Sequence, residues 1–159
     1  MEVGIGTLVQ TLRLVNIFCA AINAGGMVLV LVVDDPLNRK FPLSLYVPFH
    51  RATGRTVHQY MRPITILSGL AAVLVLVLDR DLNAGAAALT LAGLVCTLVV
   101  ILVSQLWLIP MNPIIHAWSA EAPPADHLAV RQRWDGYHAL RTAAGSLALV
   151  LYIVAALAR

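Results

Sequence analysis

Apolar residues fill four long stretches of the chain: Leu14 to Val33, Ile64 to Leu78, Leu82 to Met111 and Thr142 to Ala158. A helix needs about 20 such residues to cross a hydrocarbon core about 30 Å thick. A polar segment from Asp34 to Pro63 separates the first two runs, and another from Asn112 to Arg141 separates the last two. The remaining connection, Asp79-Arg80-Asp81, is only a tight turn. The pattern predicts an all-α integral membrane four-helix bundle, a single domain over residues 1–159 with both termini on one side. Its spans are expected near 8–33, 58–79, 82–110 and 137–158.

The second and fourth runs hold only about 15 and about 17 residues, a turn short of a full crossing. Both helices make up the deficit if they continue backwards into the polar segments. His58 to Arg62 and Tyr137 to Arg141 then lie at or just under the interface. Pro63 predicts a kink or a fresh helix start at that point. In the second segment Asn112-Pro113 reads as a helix start, Asn as N-cap and Pro at the first position. The short helix it opens ends near Ser119. Pro123-Pro124 then breaks the chain, and Asp126 caps a helix running from His127 to the C-terminus. Short interfacial helices are therefore expected in both long connections.

Composition removes the soluble alternative. Hydrophobic residues make up 60% and charged residues 12%, against about 45–50% and about 25% in an ordinary globular protein. The N-terminal stretch lacks a basic region before its apolar run, and that run exceeds signal-peptide length, so it reads as a retained membrane helix. Arg39, Lys40, Arg51, Arg55, Arg62, Arg131, Arg133 and Arg141 fall in the two long connections, with only Arg13, Arg80 and Arg159 on the other side. Positive loops stay cytoplasmic. The long connections are thus expected in the cytoplasm and both termini outside it, in what reads as a bacterial inner membrane. A net charge of +3 without a Lys/Arg run or Arg/aromatic interleaving excludes nucleic acid as partner. Cys19 and Cys96 lie in apolar runs and read as small buried hydrophobes. The lipid bilayer is the expected partner, and a homo-oligomer stays open.

All five histidines, His50, His58, His116, His127 and His138, fall in the two long connections. On the last helix, steps of three and four join His127, Arg131, Trp134, His138, Arg141 and Gly145 into one stripe. Its outer members fit an interfacial Trp/Arg anchor. His138 and Arg141 lie at the mouth of an apolar span, where ionisable groups are costly and usually face the bundle interior. His50, Gly54, His58 and Met61 share a face of the first connection, and Asn112 and His116 are four apart. His127 reads as solvated. Asn16 and Asn23 fit helix–helix hydrogen bonding, while Gln105 and Trp107 would complete a pocket wall. Imidazole is a natural ligand for Zn, Cu, Fe and Ni, so His50, His58, His116 and His138 form a candidate metal set. Haem between two axial histidines is a weaker possibility. No HxxxH or HExxH pair sits on one helix to strengthen either.

The stretch Ile109-Pro110-Met111-Asn112-Pro113, followed by Arg133-Trp134-Asp135-Gly136-Tyr137-His138-Ala139-Leu140-Arg141-Thr142, resembles the paired signature of the anthrone oxygenase-like family. These are small four-helix membrane proteins, mostly of unassigned function, whose named members oxidise polyketide anthrones to quinones. The family's Asn after the third span and its Trp, His and Arg entering the fourth would here be Asn112, Trp134, His138 and Arg141. Leu45 to Pro63, with His50, is similar to the helix before the family's second span. His58 and His116 depart from the commoner pattern.

The resemblance implies oxidation of a hydrophobic, enolisable aromatic substrate by O2. A neutral His is a suitable base for such a substrate, and a nearby Arg suits the enolate oxygen. Candidate catalytic residues are His138, Arg141 and His50, and Asn112, Trp134, Tyr137 and Trp107 would bind substrate. Either O2 alone or a His-ligated Cu or Fe would serve as cofactor. The competing reading is non-enzymatic: a membrane protein binding metal, haem or lipid, or an accessory subunit of a larger complex.

Overall fold

The computed structural model describes residues 2–158; Arg159, counted above for orientation, lies outside the described residues. Helix α1 spans Glu2–Leu29 and passes through a wider π-type turn, Val30–Asp34, into the short α2, Asp35–Asn38. Helix α3 spans Leu43–Leu78. Helix α4, Ala84–Val103, leads through a second π-type turn, Ser104–Leu108, into α5, Ile109–His116. Helix α6 spans His127–Leu157. Four continuous helical stretches, Gly4–Asn38, Leu43–Leu78, Ala84–His116 and His127–Leu157, are long and apolar enough to cross a membrane. The protein is an all-helical, integral membrane four-helix bundle. Helix α1 packs on α3 and α6, and α4 packs on the same two, so α1 and α4 sit on a diagonal.

Lipid is as apolar as leucine, so membrane helices associate through small residues and polar pairs rather than through a hydrophobic core. The buried positions follow that rule. At heptad spacing, α1 buries Arg13, Asn16, Ala20, Asn23 and Met27, and α3 buries Thr65, Ser68, Ala72 and Val75. Large apolar side chains such as Leu14, Phe18 and Val77 point outward. Asn16 Nδ2 donates to the Ser68 carbonyl at 2.8 Å, and Asn23 Nδ2 donates to Thr65 Oγ1. Both asparagines thus do the interhelical work expected of them. At the far end, Arg13 pairs with Asp79, and Asn83 Nδ2 donates to the Ala158 carbonyl at 2.6 Å. The start of α1 and the end of α6 meet there, as the even number of spans requires. Both cysteines are free.

Gly93 shows how closely α4 and α6 approach. A Cβ there would lie 2.6 Å from a ring carbon of Tyr152, whose hydroxyl is fixed by Thr97 at 2.9 Å. Gly93→Ala should therefore cost about 1–3 kcal/mol through overpacking. At Gly69 the added methyl would meet only ordinary contacts at 3.8 Å and beyond. Thermal unfolding of the two variants in the same detergent should separate them, Gly93→Ala melting lower and Gly69→Ala near wild type.

The helices are more continuous than the sequence led us to expect. Helix α3 starts at Leu43, not near 58, and is assigned without interruption through Pro48 and Pro63, so no fresh helix starts at Pro63. A membrane helix tolerates proline where the freed carbonyl finds another partner. Asn112 is no N-cap either: it lies inside α5, which begins at Ile109 and carries the third continuous stretch on to His116, so no helix starts at Asn112. Asp126 does precede α6, but its side chain makes no capping bond. Each π-type turn ends two residues before a proline, Pro36 and Pro110. Proline lacks an N–H and its ring crowds the carbonyl four residues back. A locally widened helix lets the chain pass that point without breaking.

Candidate functional site

His138 is enclosed on every side. It is fully buried at 0% exposure, because its position on α6 faces α1 where Met27 supplies a carbonyl. Arg141, one turn along, donates from Nε to His138 Nδ1 at 3.0 Å. A guanidinium cannot accept a hydrogen bond, so Nδ1 carries the lone pair and Nε2 carries the hydrogen. Nε2 in turn donates to the Met27 carbonyl at 3.2 Å. The imidazole is thereby fixed as one neutral tautomer. Arg141 Nη1 also donates to Ser104 Oγ at 3.3 Å, and Ser104 opens the π-type turn of the third span. π-type turns recur at functional sites because they re-aim the residues that follow. Here the buried positions step by five, from Val103 to Leu108, and Asn112 beyond them comes round to face α6.

Trp134 closes the open face of the imidazole. Its ring stacks on His138 with centroids 5.3 Å apart and planes 20° apart, and its Nε1 donates to Asn112 Oδ1 at 3.2 Å. His50 meets the same indole edge-on at 5.0 Å. Beyond it, His50 Nδ1 and His116 Nε2 are 3.2 Å apart, sharing one hydrogen, and Arg51 donates to the His116 carbonyl. The other nitrogen of His50, Nε2, is buried without a partner among the described residues. One contact chain therefore runs from Arg141 through His138, Trp134 and His50 to His116. The sequence named every member of it, together with Asn112.

Three candidates fall outside this chain. His58 is exposed, as are all residues from Arg55 to Tyr60. Such a stretch is uncovered right round the helix, so α3 stands clear of its neighbours between His50 and Met61. Sharing a face with His50 therefore does not bring His58 into the bundle. Trp107 and Tyr137 stack on each other at 5.3 Å, with Trp107 40% exposed, and form a separate outer pair. Gln105 is exposed beside them. His127 is half-buried rather than solvated, donating from Nδ1 to the Pro124 carbonyl at 2.8 Å and packing on Trp118.

The four-histidine metal set is not assembled by this arrangement. His58 is outside, both His138 nitrogens are hydrogen-bonded, and His50 with His116 offers two ligands where a stable site takes three or four. Among the described residues no three His, Cys, Asp or Glu side chains converge as metal ligands. The donor set does not fit a metal or a haem with paired axial histidines.

Sequence reasoning missed two participants. Ser104 sits in an apolar run and carried no signal beyond its polarity. Arg131, which fitted an interfacial anchor, is instead buried, its guanidinium 4.0 Å above the Tyr46 ring. Steps of three to Trp134 and seven to His138 were the available clue to its facing.

Fold and site together define a class: a small helical membrane protein with a buried His–Arg pair under a tryptophan lid. The sequence model of the anthrone oxygenase family matches residues 49–151, which includes every residue of that pair and its lid. The chain belongs to the anthrone oxygenase family. No curated protein and no solved structure matches it.

Proposed function

We propose that the protein oxidises a hydrophobic, enolisable aromatic ketone of the anthrone type with O2, using His138 as base and Arg141 as the cation for the developing oxyanion. The observation that carries this is the hydrogen bond from Arg141 Nε to Nδ1 of the fully buried His138. The lone pair that would take the proton is masked by the group that would stabilise the product anion. A substrate carbonyl drawing Arg141 to itself bares that lone pair in the same motion. The base becomes active only when the oxygen it must help is already bound.

The C–H bond of the activated methylene breaks, its proton goes to His138 Nδ1, and its electron pair moves through the ring to the ketone oxygen beside Arg141. The electron-rich enolate then reacts with O2. One oxygen atom becomes the new carbonyl and the other leaves as water, so the methylene carbon is oxidised by four electrons and O2 is reduced by four. No metal is needed for this balance. Trp134 must leave the imidazole face to admit the substrate, breaking its bond to Asn112. A flat apolar substrate would arrive from the bilayer, where α3 stands clear of the bundle.

The test is turnover of anthrone itself by the protein in detergent or nanodiscs, followed by O2 uptake and quinone absorbance together. Matched one-to-one traces support the reading; the absence of any rate above the uncatalysed oxidation overturns it. A stoichiometric metal or chromophore in the purified protein would instead favour the non-enzymatic reading. The charge asymmetry further supports a cytoplasmic position for the long connections. A reporter fused after Arg159 should be active only outside the cytoplasm, and cytoplasmic activity would reverse that orientation.

A further inference from the structure

One face of α3 is left uncovered along most of the helix, and its chemistry changes once along its length. Steps of four, three and four join Arg51, Arg55, His58 and Arg62, all of them exposed. The same spacing carries the face on through Ile66, Leu70, Val73 and Val77, exposed as well. No Asp or Glu occurs between Leu43 and Leu78 to neutralise the arginines. Arg51 is tethered by its bond to the His116 carbonyl. Arg55 and Arg62 lie two turns apart on either side of His58, where α3 stands clear of its neighbours.

We propose that this face binds an anionic phospholipid, its phosphate between Arg55 and Arg62 and its acyl chains along the apolar half. Depth is the first argument. The apolar run from Ile64 to the Asp79 turn is about 22 Å long at about 1.5 Å per residue, against about 30 Å of hydrocarbon. Arg62 therefore lies inside the hydrocarbon thickness, where a charge is costly without a partner. The protein offers it no acid on its own helix, whereas a lipid phosphate drawn down to it supplies the opposite charge at that depth. Length is the second argument. From Arg62 to Val73 the face runs about 16 Å, close to one leaflet, half of a core of about 30 Å. A cationic end continued by an apolar ridge one leaflet long matches a phospholipid in both parts. An acidic soluble protein would satisfy the arginines and leave the ridge bare. A second copy related by an axis along the membrane normal would set arginine against arginine, because such an axis brings the same residues together. The site does not depend on the reaction proposed above.

Native mass spectrometry of the full-length protein tests it. The protein is reconstituted in vesicles of equal dioleoylphosphatidylglycerol and dioleoylphosphatidylcholine, whose acyl chains are identical, and released in mild detergent. An arginine near an anionic membrane surface is worth about fivefold in binding, so Arg55 and Arg62 together should favour phosphatidylglycerol about thirtyfold. Wild type should retain one phosphatidylglycerol with that preference. Arg55→Gln combined with Arg62→Gln should bring the two lipids near parity, and Arg133→Gln, on α6, should change nothing. If the double variant does not fold, Arg62→Gln alone, with a loss of about fivefold, is read the same way. Inorganic phosphate in large excess should not displace the lipid; displacement would show that the apolar half is idle and overturn the proposal. Equal retention of both lipids by wild type, a preference that the folded variant keeps, or a lipid-free dimer that the substitutions dissociate would overturn it too.

Discussion

Replacing His138 by alanine should lower the rate of enzyme-dependent anthrone oxidation by about 10²–10⁴, the usual worth of a positioned general base. The expectation is specific because His138 has only one basic position, Nδ1, and no neighbouring imidazole takes its place. The next histidine in the contact chain, His50, is joined to His138 through the Trp134 ring. The loss should fall on kcat more than on KM, since proton removal belongs to the transition state. Unfolding is a separate outcome, visible by circular dichroism, because the vacated space faces Met27 and Trp134. Full turnover in a folded His138→Ala protein would move the base elsewhere, with His50 Nε2 the first position to test.

Arg141→Ala should cost about 10²–10³ in kcat, the loss found when one donor to a developing oxyanion is removed. It also leaves His138 Nδ1 buried without its donor, so the two effects need separating. Arg141→Lys does this. A lysine ammonium supplies the charge but cannot hold His138 and a substrate oxygen in one planar fork. The Lys variant should therefore recover part of the rate and not all of it. Equal rates for Arg141→Lys and wild type would show that charge alone suffices and that the fork geometry is idle.

Much of this architecture was legible along the chain, and for physical reasons. Apolar runs mark spans because hydrocarbon tolerates little else. The deficit in the second and fourth runs correctly carried α3 and α6 back into the polar segments, and that placed His138 inside. Trp134 and Arg141 fell on the stripe of three- and four-residue steps along the last helix, and Asn112 entered through the family resemblance. What stayed hidden were features that depend on neighbours. His58 shares a face with His50 but sits where α3 leaves the bundle, and sequence spacing carries no record of that departure. Arg131 looked like an anchor because an arginine near an interface usually is one; the Tyr46 ring beneath it lies 85 positions away in the chain. No fresh helix starts at Pro63, because a single missing N–H does not by itself end a long membrane helix.

The two widened turns lie on diagonal helices at one depth, the first just past Met27 and the second at Ser104. Each holds the equivalent of one inserted residue in an otherwise regular helix. A single-codon deletion within 104–108 would restore regular winding and leave everything beyond it on nearly the same face, since the positions now five apart would become four apart and 3.6 residues make a full turn. The span would still be apolar and still cross. Asn112 and His116 would still face Trp134 and His50, so the site would keep this wall through a change of length that hydropathy does not register.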